Sequence, residues 1–140
     1  MKVTRFDHIT VAVGDLGAAV ETFARCFKLQ AKDHRRVRHL GIENVFLPLG
    51  NGAIELAAPL KDGEAADPVR RFLDRRGEGM MNLCLTVEDL GEAMAHLKEC
   101  GVRVLEHTDA EGDKIAMIHP KDMHGVMIEI REGERRIRET

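Results

Sequence analysis

The sequence predicts an α+β fold in which two βαβββ repeats form curved mixed sheets that enclose a shared central pocket. The first observation behind this prediction is an internal repeat: Asp15-Leu16-Gly17 returns 74 residues later as Asp89-Leu90-Gly91, and Glu55 returns as Glu129. The same offset relates Val13 to Val87 and Cys26 to Cys100. The second observation is that each copy reads as one strand, one helix and three further strands, so the chain is two copies of one unit.

Alternating apolar residues and turn signals define the elements of the first repeat, residues 1–60. A strand over Val3–Val13 precedes a helix that Asp15 caps, with apolar residues at helical spacing up to Lys28. The Asn51-Gly52 pair lies between two apolar runs and predicts a hairpin. The remaining strands of this repeat, the first of them a charged edge strand, are predicted over Lys32–Leu40, Ile42–Pro48 and Ala53–Ala58.

A connector with a short helix, residues 61–78, joins the two repeats. Asp67-Pro68 predicts the start of that helix, since Asp caps well and Pro suits the first helical position, and Gly77 predicts its end. In the second repeat, residues 79–131, Asp89 caps the long helix. Its four strands are predicted over Met80–Val87, Val102–His107, Lys114–His119 and Gly125–Arg131.

Composition restricts the classes of protein to which the chain can belong. With 140 residues, 44% hydrophobic and 32% charged, it reads as a single soluble domain, and the mixed-charge tail, residues 132–140, reads as solvated or frayed. A net charge of −3 leaves no basic surface for nucleic acid. No apolar run approaches the ~20 residues of a membrane helix, and the N-terminus lacks a secretory signal. Three cysteines without metal-finger spacing indicate reduced, mostly buried thiols in a cytoplasmic protein.

The first strand of each repeat has one apolar face and one partly polar face, because successive strand residues point to opposite sides. The apolar face carries Ile9, Val11 and Val13 in one repeat and Leu83, Leu85 and Val87 in the other. The opposite face carries Phe6, His8, Thr10 and Ala12, and Met80, Asn82, Cys84 and Thr86. The last strands repeat this division, with Glu55 and Glu129 as the single Glu of each. The sequence therefore predicts that His8, Glu55, Asn82 and Glu129 line the pocket.

These features resemble the vicinal oxygen chelate superfamily, which includes glyoxalases and extradiol dioxygenases, and within it most closely the methylmalonyl-CoA epimerases. The stretches that carry the resemblance are Asp7-His8-Ile9, Phe46-Leu47-Pro48-Leu49-Gly50, Ile54-Glu55-Leu56, Arg76-Gly77-Glu78-Gly79-Met80, Ile115-Ala116-Met117-Ile118-His119-Pro120-Lys121 and Gly125-Val126-Met127-Ile128-Glu129. The resemblance implies a homodimer that binds an acyl-CoA or a related thioester and works in the cytoplasm, without nucleic acid or membrane.

The resemblance also implies one divalent metal ion, Co, Ni, Zn or Mn, held by the first and last strands of both repeats. Carried over by position, the ligands are His8, Glu55, Asn82 and Glu129. Epimerases usually read His-His where this chain reads Met81-Asn82. An amide oxygen in place of an imidazole favours harder ions such as Mn²⁺ and lowers the affinity for Zn²⁺, Co²⁺ or Ni²⁺. A weakly filled or empty site is the alternative.

The implied reaction removes the α-proton of a 2-methylmalonyl thioester and returns it on the other face. Glu43 and Glu129 are the candidate bases. Two alternatives stay open. One is a glyoxalase I-like lyase with the same metal ligands, and the other is a metal-free small-molecule binding protein of the same fold, which Asn82 favours.

Overall fold

A computed structural model describes residues 1–62, 68–109 and 111–139. The elements are β1 (Val3–Ala12), α1 (Leu16–Phe27), β2 (Lys32–Val37), a 3-10 turn (Arg38–Leu40), β3 (Ile42–Leu49), β4 (Gly52–Pro59), α2 (Pro68–Arg76), β5 (Gly79–Val87), α3 (Leu90–Glu99), β6 (Val104–Thr108), β7 (Lys114–Ile118), a second 3-10 turn (Pro120–Asp122) and β8 (Met127–Glu132). The α+β class and the twofold βαβββ order are confirmed. The predicted cap Asp67 lies outside the described residues.

The chain forms two compact units. The first contains Met1–His8 and Asn82–Arg135, and the second contains Ile9–Met81 and Arg136–Thr140. The boundary falls inside β1 and inside β5, so each of these strands supplies residues to both units. None of the described helices is long and apolar enough to cross a membrane.

In the first unit, α3 covers a sheet with the strand order β1-β5-β8-β7-β6. Strands β5 and β8 are parallel, whereas β8, β7 and β6 pair antiparallel. As predicted, Asp89 caps α3 and accepts a hydrogen bond from the Glu92 amide at 2.9 Å. The apolar core beneath α3 includes Val87, Leu90, Ala93, Leu97, Ala116, Ile118 and Ile130, with Leu85 packed against it. The predicted apolar face of β5 therefore does lie under the helix.

In the second unit, α1 packs against a sheet with the order β2-β3-β4-β1. The hairpin between β3 and β4 is confirmed, with its turn over Leu49-Gly50-Asn51-Gly52 as predicted: Leu49 pairs with Gly52 and the loop is Gly50-Asn51. Gly50 has a φ of +53°, a conformation that costs glycine little. The core under α1 contains Val13, Leu16, Val45, Leu47, Leu56 and Ala58.

The C-terminal tail is mostly exposed, as expected, but Arg135 is buried and the tail makes specific contacts in both units. In the first unit, the Arg135 amide donates to Asp7 at 3.3 Å, and the Arg135 guanidinium lies 3.1 Å from Glu111. In the second unit, Arg138 donates to Asp33 through its Nε at 2.6 Å and through its amide at 3.1 Å. Composition alone did not reveal that these cations meet carboxylates in the folded units.

Asp33 anchors the tail from a strained position in β2. Its side chain is fully buried, its φ is +57°, and the pairing of β2 with β3 shifts register between Lys32 and Arg35. Burial acts to raise the pKa of Asp33, but hydrogen bonds from Arg35 and Arg138 outweigh it and hold the pKa below its usual value. The carboxylate therefore stabilises the fold above the usual Asp pKa, and this contribution is lost as the pH falls through the lowered value.

We expect Asp33→Asn to lower the free energy of unfolding at pH 7 by about 1–3 kcal/mol. Asn also tolerates a positive φ, so the substitution removes the charge without adding backbone strain. The difference from the unsubstituted protein should shrink at pH 3, because below the ordinary Asp pKa the carboxylate of the unfolded chain takes up a proton. Denaturant unfolding at both pH values measures it, and an equal difference at both would contradict this account.

Candidate active site

His8 is buried in β1 and held by its neighbour Asp7. The His8 side chain is 1% exposed, and its Nδ1 lies 2.7 Å from Asp7 Oδ2. Asp7 also accepts a hydrogen bond from the Arg135 amide, so both of its oxygens are engaged. Burial acts to raise the pKa of Asp7, but its hydrogen bond and ion pair with His8 and the charge of Arg131 lower it overall. Asp7 thus stays ionised and fixes the orientation of the His8 ring.

Cys84 lies beside His8 and faces Glu129 across the parallel pairing of β5 and β8. One ligand atom from each of Asp7, His8 and Cys84 lies within 4.8 Å of the others. The Cys84 thiol lies 3.3 Å from Glu129 Oε2, to which it donates, and the two residues are direct Cα partners. Burial raises the pKa of the Cys84 thiol to about 12, with the hydrogen bond to His8 opposing this and the charge of Glu129 adding to it.

Asn82 lies two residues before Cys84 on β5 and is 8% exposed. Residues two apart in a strand share a face, so Asn82 belongs to the same face as Cys84. Its partner on β8 is Met127 rather than Glu129. Asn82 is thus placed about one pleat, or ~7 Å, along the strand from the position opposite Glu129.

A cluster of buried charges lies next to this group in the first unit. Arg131 is 3% exposed, lies 3.1 Å from Asp109 and approaches Glu129 at 4.0 Å. Burial acts to lower the pKa of Arg131, but the charges of Asp109 and its neighbours raise it overall, so the guanidinium stays charged. Arg131 therefore supplies positive charge beside the Glu129 carboxylate.

Glu55 belongs to the second unit and is buried there. Thr10 donates a hydrogen bond to Glu55 Oε1, and Asn44 donates one to Oε2, both at 2.7 Å. The side chain is 9% exposed, so Glu55 does not lie on a solvated face. Its two donors come from β1 and β3, and together they fix the orientation of the carboxylate.

Glu43 lies on β3 next to Asn44. Because Asn44 bonds to Glu55, the alternation of strand residues directs Glu43 to the other face, which carries Val45. Glu43 Oε1 lies 2.5 Å from His34 Nε2 on the neighbouring strand. Within the second unit, Glu43 and Glu55 are therefore not brought together.

Of the sequence-predicted residues, His8 and Glu129 each lie beside Cys84 in the first unit, and Asn82 lies on the same face of β5 as Cys84. Cys84 and Asp7 belong to this group although neither was predicted to act there. The signals were present: Cys84 shares the face of Asn82, and Asp7 precedes His8 directly. All three cysteines are free, but Cys26 and Cys100 are exposed, so the expectation of mostly buried thiols is wrong for two of the three.

The donor atoms near His8 suit a divalent cation. The imidazole of His8, the thiol of Cys84 and the carboxylate of Asp7 lie within 4.8 Å of one another in a buried setting. Asp7 also holds Nδ1 of the imidazole, as a carboxylate commonly does for a metal-binding histidine. The acidic group Asp109, Glu111 and Asp113 also has the spacing of a metal site. Arg131 and Arg135 already neutralise that second group.

The chain is similar in sequence and in structure to known proteins. The family model of the Glyoxalase/Bleomycin resistance protein/Dioxygenase superfamily matches residues 7–117. The ethylmalonyl-CoA/methylmalonyl-CoA epimerase of Cereibacter sphaeroides is 31% identical over 135 residues, which are 93% of this chain and 98% of that protein.

Two solved structures extend the likeness to three dimensions. Methylmalonyl-CoA epimerase from Mycobacterium tuberculosis is 32% identical with a TM-score of 0.84, and the match covers 95% of this chain and 90% of that one. A variant of the Streptomyces coelicolor enzyme, in complex with 2-nitronate-propionyl-CoA, is 28% identical with a TM-score of 0.82, covering 91% and 93%. The chain therefore belongs to the glyoxalase/bleomycin resistance protein/dioxygenase superfamily, and its relatives over nearly its whole length include proteins named as methylmalonyl-CoA epimerases.

Proposed function

We propose that this protein epimerises a 2-methylmalonyl thioester by removing the α-proton and returning it on the opposite face. The observation that carries the proposal is that His8 and Glu129 each lie beside the buried Cys84, in a chain whose relatives include epimerases of such thioesters. The hydrogen removed is acidified by two carbonyl groups, so a positioned carboxylate is a sufficient base. The substrate is an acyl-CoA, and the protein works as a homodimer in the cytoplasm.

Glu129 is the base that the geometry supports best. It is held opposite Cys84 by strand pairing, and Arg131 keeps positive charge beside it. Glu43 stays a prediction from the sequence, and its position on the other face of β3 from Asn44 makes it the weaker of the two candidates.

In the first unit, His8, Asn82 and Glu129 are the proposed metal ligands, and Glu55 of the second unit stays a ligand predicted from the sequence. A divalent cation bound to them would polarise the carboxylate and thioester oxygens of the substrate and stabilise the enolate. Asp7 is a positioning residue, because its hydrogen bond fixes which nitrogen of His8 is available to the metal. The residues described above fit such an ion by their donor types and burial.

A metal-free binding protein is the second candidate, since Asn82 stands where the epimerases have a histidine ligand. Deuterium exchange separates the two, because only the epimerase forms an enolate.

The first prediction is that methylmalonyl-CoA exchanges its α-proton with deuterium from solvent in the presence of the protein and a saturating divalent metal. Glu129→Gln should slow this exchange by about 10²–10⁴-fold, because it removes the base. Mass spectrometry of the recovered thioester measures the exchange. The matched control is Glu106→Gln on β6, a half-exposed carboxylate outside the site, which should exchange normally. Normal exchange by Glu129→Gln would exclude it as the base.

A second prediction concerns Glu43. Because it pairs with His34 and lies on the other face of β3 from Asn44, Glu43→Gln should slow exchange by much less than the ~10²-fold expected for a lost base. The same exchange measurement applies, with His34→Gln as the control for loss of the ion pair. A loss as large as that of Glu129→Gln would establish Glu43 as the second base.

A third prediction concerns Asp7. Asp7→Asn should weaken the binding of divalent metal by roughly 10–100-fold, because the outer hydrogen bond that orients His8 loses its charge. Isothermal titration with Zn²⁺ measures the affinity, and circular dichroism checks the fold. Asp62→Asn, at an exposed carboxylate, is the matched control. Unchanged affinity in Asp7→Asn would show that His8 does not bind the metal.

A further inference from the structure

We propose that the guanidinium of Arg131 binds the free carboxylate of the substrate, and that Asp113 occupies this guanidinium until the substrate displaces it. Arg131 thereby makes the site select malonyl-type thioesters, which carry a free carboxylate, over thioesters of simple monocarboxylic acids. This proposal rests on the proposed function, because it assigns a specificity-determining residue beside the proposed base Glu129.

Arg131 lies where a group that binds the substrate carboxylate has to lie. In a malonyl-type thioester, the carboxylate and the acidic hydrogen are attached to the same carbon, so the base and the carboxylate-binding group must be neighbours. Arg131 follows Glu129 by two residues on β8, and residues two apart in a strand share a face. Arg131 Nη1 lies 4.0 Å from Glu129 Oε2. One substrate can therefore present its α-hydrogen to Glu129 and its carboxylate to Arg131.

The guanidinium of Arg131 has donors that the neighbouring carboxylates do not satisfy. Arg131 is buried, and among the described residues its Nε and Nη1 make no hydrogen bond. Asp109 Oδ2 lies 3.1 Å from Nη1 and Asp113 Oδ2 lies 3.6 Å from Nη2, so the two oxygens come from different side chains. The strongest pairing of arginine is with one carboxylate that accepts from two of its nitrogens in parallel. Neither aspartate makes that contact, which a substrate carboxylate can make.

Asp109 is held in place by its own loop. Its Oδ1 accepts hydrogen bonds from the amides of Glu111 and Asp113, each at 2.9 Å, and Oδ2 is the oxygen that faces Arg131. Turning the carboxylate to offer both oxygens to Arg131 would break these two bonds. Asp109 therefore stays beside Arg131 as a fixed counter-charge, which a buried guanidinium requires.

Asp113 is the carboxylate that a substrate can displace. Its side chain is 66% exposed, and its oxygen lies beyond the usual hydrogen-bond distance from Arg131 Nη2. An ion pair with such an exposed partner contributes little to stability. When Asp113 turns toward solvent, Nη2 is uncovered, and the substrate carboxylate gains charge-assisted hydrogen bonds there. A carboxylate has about four lone-pair sites, so it can accept from Arg131 and also bind the proposed metal ion.

The test compares two thioesters that differ in the free carboxylate: methylmalonyl-CoA carries it, and propionyl-CoA lacks it. Isothermal titration of the full chain with saturating Mn²⁺ gives the dissociation constant of each. The ratio of the propionyl-CoA constant to the methylmalonyl-CoA constant measures the preference for the carboxylate. We expect Arg131→Gln to lower this ratio at least ~10-fold, since the loss of a hydrogen bond to a charged group has about that effect.

Asp113→Asn is the matched variant with the opposite expected effect. It should tighten the binding of methylmalonyl-CoA about 2–5-fold and leave that of propionyl-CoA unchanged, because the competing ion pair is removed. Glu106→Gln removes one negative charge from a half-exposed side chain elsewhere in the first unit. It is the control for the general effect of net charge on anion binding, and it should leave the ratio unchanged.

An unchanged ratio in folded Arg131→Gln overturns the proposal, because a purely structural ion pair affects folding but not the choice of ligand. Equal effects of Asp113→Asn and Glu106→Gln on the ratio also overturn it. Circular dichroism shows whether each variant is folded. If Arg131→Gln does not fold, the comparison of Asp113→Asn with Glu106→Gln decides.

Deuterium exchange, measured separately, distinguishes this proposal from the proposed function. A carboxylate preference that depends on Arg131, without exchange of the α-proton, establishes the carboxylate site and rejects the epimerase. Exchange with a ratio that Arg131→Gln leaves unchanged retains the epimerase and removes Arg131 from substrate binding. Binding of neither thioester by the folded protein overturns both.

Discussion

The two-residue period of β5 is the constraint on which the candidate site depends. Leu85 and Val87 pack in the core under α3, and burying such side chains contributes roughly 1.5–3 kcal/mol each. A slip of one residue would expose them and turn Asn82 and Cys84 toward the helix, so the apolar contacts fix the register. That register places Cys84 opposite Glu129. The hydrophobic core of the first unit thus positions the polar atoms on the other face, although it touches none of them.

The polar face carries its own constraint, which is charge balance in a buried setting. Arg131 and Asp109 are both at most 4% exposed, and an unpaired charge at such a position is strongly destabilising. Arg135 extends the network from Asp109 to the Asp7 carboxylate, and Asp7 in turn holds His8. The tail residue Arg135 therefore contributes to the orientation of a side chain more than 100 positions earlier in the chain.

Residue spacing within a single helix or strand was enough to predict the features that depend on that element alone. The caps Asp15 and Asp89 and the two faces of β5 follow from spacing along one element, and the structure confirms them. The residues that were missed depend on pairing between elements. The nearness of Cys84 to Glu129 requires the register of β5 against β8, which neither strand encodes alone. Asp33 was missed because the register shift in β2 breaks the alternation from which a buried carboxylate would be inferred. The face of Glu43 could have been predicted from the hairpin. Phe46 pairs with Glu55, and cross-strand partners share a face. Glu43 lies three residues before Phe46 in the same strand and therefore points to the opposite face.

A strand that carries donors at alternate positions allows a metal site to change its chemistry without changing its scaffold. Moving a ligand from position 82 to position 84 keeps it on the same face and shifts it by one pleat, while α3 and its core stay in place. Such a move would change the donor from a neutral amide to a thiolate, and with it the ion that the site would prefer. Glu129 keeps its place opposite position 84 in either case, so the proposed base can be retained while the metal differs. Helical ligands, which recur every three or four residues, offer no comparable short step on one face.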